Sequence, residues 1–225
     1  SVVEECIVPL RRNLAAFGFH SAVLDVRQNS AFHEKALDQL LRTAGLLESG
    51  SFVDWPLEKK RELLDRELAS PRPFLSPGVS AGDEADTVLA CHRVLAEHRA
   101  KFGNAGLGSL IVSMTRNVED LLTVYLLARE TGLMEWTAEG LVCPIPVVPL
   151  FETMGDLEAG PGIVEAFLAH PVTRRSLAAQ SNGGMPVFQM MVGYSDSNKD
   201  CGIVASQCAL HRAQRELSET ITNHG

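Results

Sequence analysis

The chain has no run of about 18 or more apolar residues and no basic-then-apolar leader, so neither a membrane span nor a signal peptide is expected. Basic charge is also scarce. Lys and Arg number 20 against 28 Asp and Glu, a net charge of −8. A nucleic-acid backbone needs a basic face, so that class of partner is disfavoured. A small anionic substrate stays open, because a few local arginines can dominate a pocket. The five cysteines, Cys6, Cys91, Cys143, Cys201 and Cys208, are scattered and form no C-x-x-C. They are expected to be reduced and the protein cytoplasmic. A structural zinc site is disfavoured, since Cys201 and Cys208 lack a matched partner pair.

What is present is an alternation of helical and strand-like units. The 225 residues, 45% hydrophobic and 21% charged, have the composition of a soluble globular protein with room for a sizeable core. Helices are predicted over Val3–Phe17 (stopped by Gly18), Ala31–Leu47, Pro56–Leu68, Glu84–Phe102, Val118–Gly132, Gly162–His170 and Arg174–Gln180. A last one follows in IVASQCALHRAQREL. The proline-rich segment Ser70–Gly82 is predicted to be an exposed loop. Short apolar strands are predicted at Ser21–Arg27, Ser109–Met114, Pro146–Phe151 and Val187–Val192.

Each predicted strand precedes a helix, the pattern of a parallel sheet buried between helices. Each also ends near a residue suited to chemistry: Arg27, Arg116, Glu152 or Asp196. In a (β/α) barrel such ends converge on one face. The last strand opens onto GYSDSNKDCG, Gly193–Gly202. There Asp196 and Asp200 can hold a hard cation and Lys199 can pair with an anion. The plainer alternative is a polar connection with a helix N-cap, which favours Ser and Asp. A complete barrel needs about eight strands, and four are visible, so unpaired edges are expected.

Four motifs occur in order: LDVRQNS (Leu24–Ser30), SLIVSMTR (Ser109–Arg116), VPLFET (Val148–Thr153) and MVGYSDSNKD (Met191–Asp200). Together they resemble the phosphoenolpyruvate carboxylase family from about Gly18 onward, least distinctively between Ser49 and Gly82. The resemblance implies a TIM-barrel-like α/β catalytic domain, with residues 1–225 as its central part. It implies carboxylation of phosphoenolpyruvate with bicarbonate to oxaloacetate and phosphate, through carboxyphosphate and a metal-stabilised enolate. Glu152 and Asp196 then correspond to the ligands of Mg²⁺ or Mn²⁺, whose preference for oxygen suits them. Arg27 corresponds to the arginine that stabilises bicarbonate and phosphate. Lys199 lies beside the metal ligand, where it either contacts substrate or pairs with Asp196 or Asp200. A homotetrameric parent in carbon dioxide fixation and the tricarboxylic acid cycle is also implied.

Two family motifs, a TxHPT-like histidine and a GRGG-type loop, do not occur. His20, His33 and His211 lack a matching context, and His20 and His33, which flank a strand, are expected to be structural or exposed. Cys201 and Cys208 replace the more familiar glycine or alanine, and tryptophan. The chain is therefore expected to be a central fragment, inactive by itself. Two alternatives are a non-catalytic polypeptide that keeps the metal carboxylates, and another metal-dependent phosphate-handling barrel enzyme.

Overall fold

A computed structural model describes residues 1–47 and 49–224. Its centre is a sheet of four strands: β1 (Leu24–Asn29), β2 (Leu107–Ser113), β5 (Val147–Phe151) and β6 (Met191–Val192). They lie in chain order, β1-β2-β5-β6, and every pairing is parallel. Asn29 pairs with Ser113, Val112 with Pro149 and Phe151 with Val192, so the carboxyl ends of the strands come level.

The helices are α1 (Val8–Phe17), α2 (Ser30–Thr43), α3 (Leu57–Leu68), α4 (Asp83–Phe102), α5 (Val118–Arg129), α6 (Met154–Ala169), α7 (Pro171–Gln180), α8 (Tyr194–Cys201) and α9 (Ile203–Asn223). A π-helical turn, Val3–Ile7, leads into α1. Every residue of α5 is buried, so it is the centre about which α2, α3, α4 and α6 pack. The rings of Tyr125 on α5 and Phe167 on α6 stack at 5.6 Å. Along β2, Leu110 and Val112 face this main core. Ile111 faces the other way, joining Val148, Leu150 and Met191 in a small cluster built from strand residues alone. This is period-2 alternation with both faces apolar, as a parallel sheet requires. Among the described residues no helix is long and apolar enough to cross a membrane.

Several predicted boundaries need correction. The edge strand β1 is largely exposed and not apolar on both faces. β6 is confined to Met191 and Val192, which pair with Leu150 and Phe151 of β5. Of the predicted residues before it, Val187 is exposed, while Phe188 and Met190 pack against the core as non-strand chain. The hairpin of β3 (Glu135–Thr137) and β4 (Gly140–Val142) was not anticipated. Its loop residues, Ala138 and Glu139, lack the Asn-Gly or Asp-Gly signal of a tight hairpin. α6 begins at Met154, not Gly162, despite Gly155, Gly160 and Pro161. Thr153 and Asp156 form a reciprocal capping box that starts the helix early. Gly160 lies against the Phe151 ring, where an added Cβ would stand at 3.4 Å. Replacing Thr153 by Ala is expected to cost about 1 kcal/mol of stability, measurable as a lower urea midpoint with an unchanged m-value.

Candidate active site

The level strand ends bring two sequence-distant groups into contact. Arg27 Nη2 donates to Glu152 Oε1 at 2.6 Å across 125 residues of sequence. The Glu152 side chain is 7% exposed and that of Arg27 is 53% exposed, so the carboxylate is set in the fold while the guanidinium keeps a face to solvent. The second oxygen, Oε2, accepts from the Met114 backbone N–H at 3.0 Å. A buried carboxylate with a cation on one oxygen and a backbone donor on the other is oriented as well as charge-balanced.

The surrounding backbone explains how Glu152 comes to be held there. Its own N–H donates to Asp156 Oδ2 at 3.2 Å, which ties it to the cap of α6. The Gly193 N–H donates to the Phe151 carbonyl at 2.8 Å. A Cβ on Gly193 would stand 3.2 Å from Glu152 Cγ and 3.3 Å from its Cα. Glycine at the end of β6 thus permits the close approach of the GYSDSNKD segment to Glu152.

That segment is helix α8 rather than an open polar connection. Asp196 lies in its first turn, where the helix dipole favours negative charge. It is half-exposed, and Lys199 Nζ lies 3.5 Å from Asp196 Oδ1. Asp200 points elsewhere: its Oδ2 accepts from the Met154 N–H at 2.9 Å, capping the start of α6. The N-cap alternative thus describes Asp200, on a neighbouring helix rather than its own.

Arg116 has different partners from Arg27. It donates to Asp120 through Nε and Nη2, at 3.2 and 2.8 Å, and to Glu34 through Nη2 at 3.1 Å. The hydrogen bonds it donates to Asp120, and then to Glu34, push the Arg116 guanidinium further above its ordinary pKa. Glu34 in turn accepts from the buried Lys60 Nζ at 2.6 Å. Arg116 therefore acts as a fixed cation joining α2 to the start of α5. His33 is buried and His20 and His211 are exposed.

Met114 and Ser30 were not anticipated as site residues. Met114 takes φ +55, a conformation that nothing in its residue type signals, and its carbonyl accepts from Ser30 Oγ at 2.6 Å. The role of Asp156 was open to inference, because T-x-x-D before a helix is a capping-box pattern.

Glu152 and Asp196 offer only carboxylate oxygens, and no group of three or more His, Cys, Asp or Glu among the described residues could hold a metal ion. That donor chemistry fits a small, hard cation which takes one or two protein carboxylates and fills its shell with water and substrate oxygens.

The sheet and these groups define an α/β protein that gathers carboxylate and guanidinium at the carboxyl edge of parallel strands, where open and closed sheets alike bind ligands. The chain belongs to the phosphoenolpyruvate carboxylase family, whose model, described as Phosphoenolpyruvate carboxylase, matches residues 1–225. It is 44% identical over 216 residues to a phosphoenolpyruvate carboxylase of Rhodothermus marinus, covering 93% of this chain and 22% of that protein. A carboxylase of the same description from Rhodopseudomonas palustris (strain BisA53) is 43% identical over 96% of this chain and 22% of the relative. One from Mycobacterium leprae (strain TN) is 35% identical over 100% of this chain and 23% of the relative. The chain thus spans less than a quarter of the length of these curated relatives.

Proposed function

We propose that this chain supplies the central part of a site that joins bicarbonate to phosphoenolpyruvate, yielding oxaloacetate and phosphate. The observation that carries the reading is the buried Glu152 carboxylate, held between Arg27 and the Met114 N–H at the carboxyl edge of the sheet. In this reading a bicarbonate oxygen attacks phosphorus, and the bond from phosphorus to the enol oxygen breaks. Carboxyphosphate and an enolate result. Carboxyphosphate then divides into phosphate and carbon dioxide, which the enolate carbon captures.

The residues divide that work according to their exposure. Arg27 commits one amine of its fork to Glu152, and its solvent-facing donors are free to pair with bicarbonate or phosphate oxygens. Lys199, exposed beside Asp196, can neutralise the phosphate as it leaves. Glu152 and Asp196 would hold Mg²⁺ or Mn²⁺. When bound, such a cation supplies Lewis-acid charge and a template for substrate oxygens. Parallel strands in chain order, with a strand-only apolar cluster on the second face, support reading the sheet as an arc of a (β/α) barrel. Further strands would then pair with the free edges of β1 and β6.

An enolate must be kept from water or it is protonated to pyruvate. Asp196 and Lys199 have side chains 51% and 78% exposed, so the isolated chain is expected to form no oxaloacetate. Coupling to malate dehydrogenase, with and without bicarbonate, tests the reading on the isolated chain and on the full-length carboxylase carrying it. Bicarbonate-dependent NADH oxidation by the full-length protein alone is the expected result. Phosphate release indifferent to bicarbonate would point to another phosphate-handling reaction. Asp196→Asn in the full-length protein should weaken Mn²⁺ binding by at least the ~10–100-fold typical of outer-shell losses. Unchanged Mn²⁺ affinity would remove Asp196 from the metal site.

A further inference from the structure

Met114 is the conformational anomaly beside the site. At φ +55 its Cβ is crowded by backbone oxygen, so a long side chain rarely adopts this geometry. Such outliers persist only where surrounding contacts enforce them, and here those contacts can be named. On one side of the residue, the Met114 N–H donates to Glu152 Oε2 at 3.0 Å. On the other, its carbonyl accepts from Ser30 Oγ at 2.6 Å. Ser30 is 1% exposed and is the first residue of α2, directly after β1. Its hydroxyl is therefore carried by a helix whose start is fixed by Asn29, which accepts from the Ala31 N–H at 2.8 Å. A second link joins the same helix to the same loop, from Arg116 Nη2 to Glu34 Oε2.

We propose that Ser30 is a positioning residue: its hydroxyl holds the Met114 peptide in the left-handed turn that aims the N–H at Glu152. The proposal rests on the reading of Glu152 as a metal-site carboxylate. With Oε1 on Arg27 and Oε2 on a backbone donor, the plane of the carboxylate is set. Without the Ser30 hydroxyl, the Met114 carbonyl loses its short bond. Its peptide unit then keeps only the longer 3.3 Å bond from the Thr115 N–H to the Leu150 carbonyl, so Met114 relaxes toward negative φ and the turn moves. Glu152 then keeps only Arg27, a half-exposed side chain that cannot orient it alone.

The test uses the full-length carboxylase carrying this chain. Ser30→Ala is expected to weaken Mn²⁺ binding, followed by electron paramagnetic resonance of free Mn²⁺ without substrates, by ~10-fold or more. In the same variant kcat should fall by ~10–100-fold, with KM for phosphoenolpyruvate within about threefold of the parent. Glycine adopts φ +55 without steric cost. In a Met114→Gly background, therefore, adding Ser30→Ala should change Mn²⁺ affinity and kcat by less than about threefold. An equal loss in both backgrounds overturns the proposal, as does a Ser30→Ala protein that matches the parent. Should Ser30→Ala alone not fold, the two glycine variants still decide: a tenfold or greater difference between them overturns the proposal. Glu152→Gln, measured alongside, separates the two readings. If it retains Mn²⁺ affinity, the metal reading of Glu152 fails and the role of Ser30 with it. If it loses affinity while Ser30→Ala does not, only the role of Ser30 falls.

Discussion

Replacing Glu152 by Gln in the full-length carboxylase is expected to lower kcat by about 10³-fold or more, roughly 4 kcal/mol of transition-state stabilisation. The amide is nearly isosteric, so the loss is chemical. Both oxygens of Glu152 face donors, Arg27 Nη2 on one and the Met114 N–H on the other. A glutamine carries one oxygen, and its NH₂ must confront one of those donors, leaving that partner unpaired. The charge that balances Arg27 and would bind a cation disappears as well. Glu152→Asp keeps the charge but is one methylene shorter, so it cannot span both partners, and an intermediate loss is expected. Initial rates in the malate dehydrogenase assay, with thermal melts to establish folding, check this. Activity within tenfold of the parent would remove Glu152 from the site.

Mild acid should destabilise the chain through its buried histidines. His33 on α2 and His92 on α4 are buried, and among the described residues each Nδ1 lacks a hydrogen-bond partner. Burial, and then the neighbouring His92, push His33 down to about 3. Burial pushes His92 down to about 4, with the Leu127 backbone partly opposing it. Both are therefore neutral in the folded state and protonate in the unfolded state below their ordinary value of 6.5. In that window the unfolded state binds more protons, so stability falls as pH falls from about 6.5. The loss continues until the folded values near 4 and 3 are reached. By pH 5 each histidine contributes a loss of about 2 kcal/mol. Burial of His170 also lowers its pKa and adds in the same direction. Urea unfolding of the chain at pH 7, 6 and 5 measures the slope. A His33→Leu/His92→Leu variant should lose most of it. A parent midpoint unchanged between pH 6.5 and 5 would show that these imidazoles are not held neutral.

Much of the architecture was legible because alternation and capping are local signals. The apolar runs of β2 and β5 and the helices from Leu57, Asp83 and Val118 lie close to where periodicity predicts them. Legibility failed where a local preference lost to packing. Ser195, Asp196, Ser197 and Asn198 favour turns and caps, yet they form α8. Ser197 there is buried, with its hydroxyl 2.8 Å from that of Ser206 on α9. Gly160 and Pro161 resemble a helix break, but the glycine lets α6 lie against Phe151.

The site divides along the same line. Motif order and residue type determined the family, the parallel α/β class, and the candidacy of Arg27, Glu152, Asp196 and Lys199, because each is a property of the chain read locally. Only the tertiary structure decided the partners. It joined Arg27 to Glu152, tied Arg116 to Asp120 and Glu34, turned Asp200 into a cap for α6, and brought Ser30 and Met114 to the site. The physical reason is that hydrogen bonds between strand ends depend on register and on the path of the backbone. Residues far apart in the chain share these only once the strands have paired.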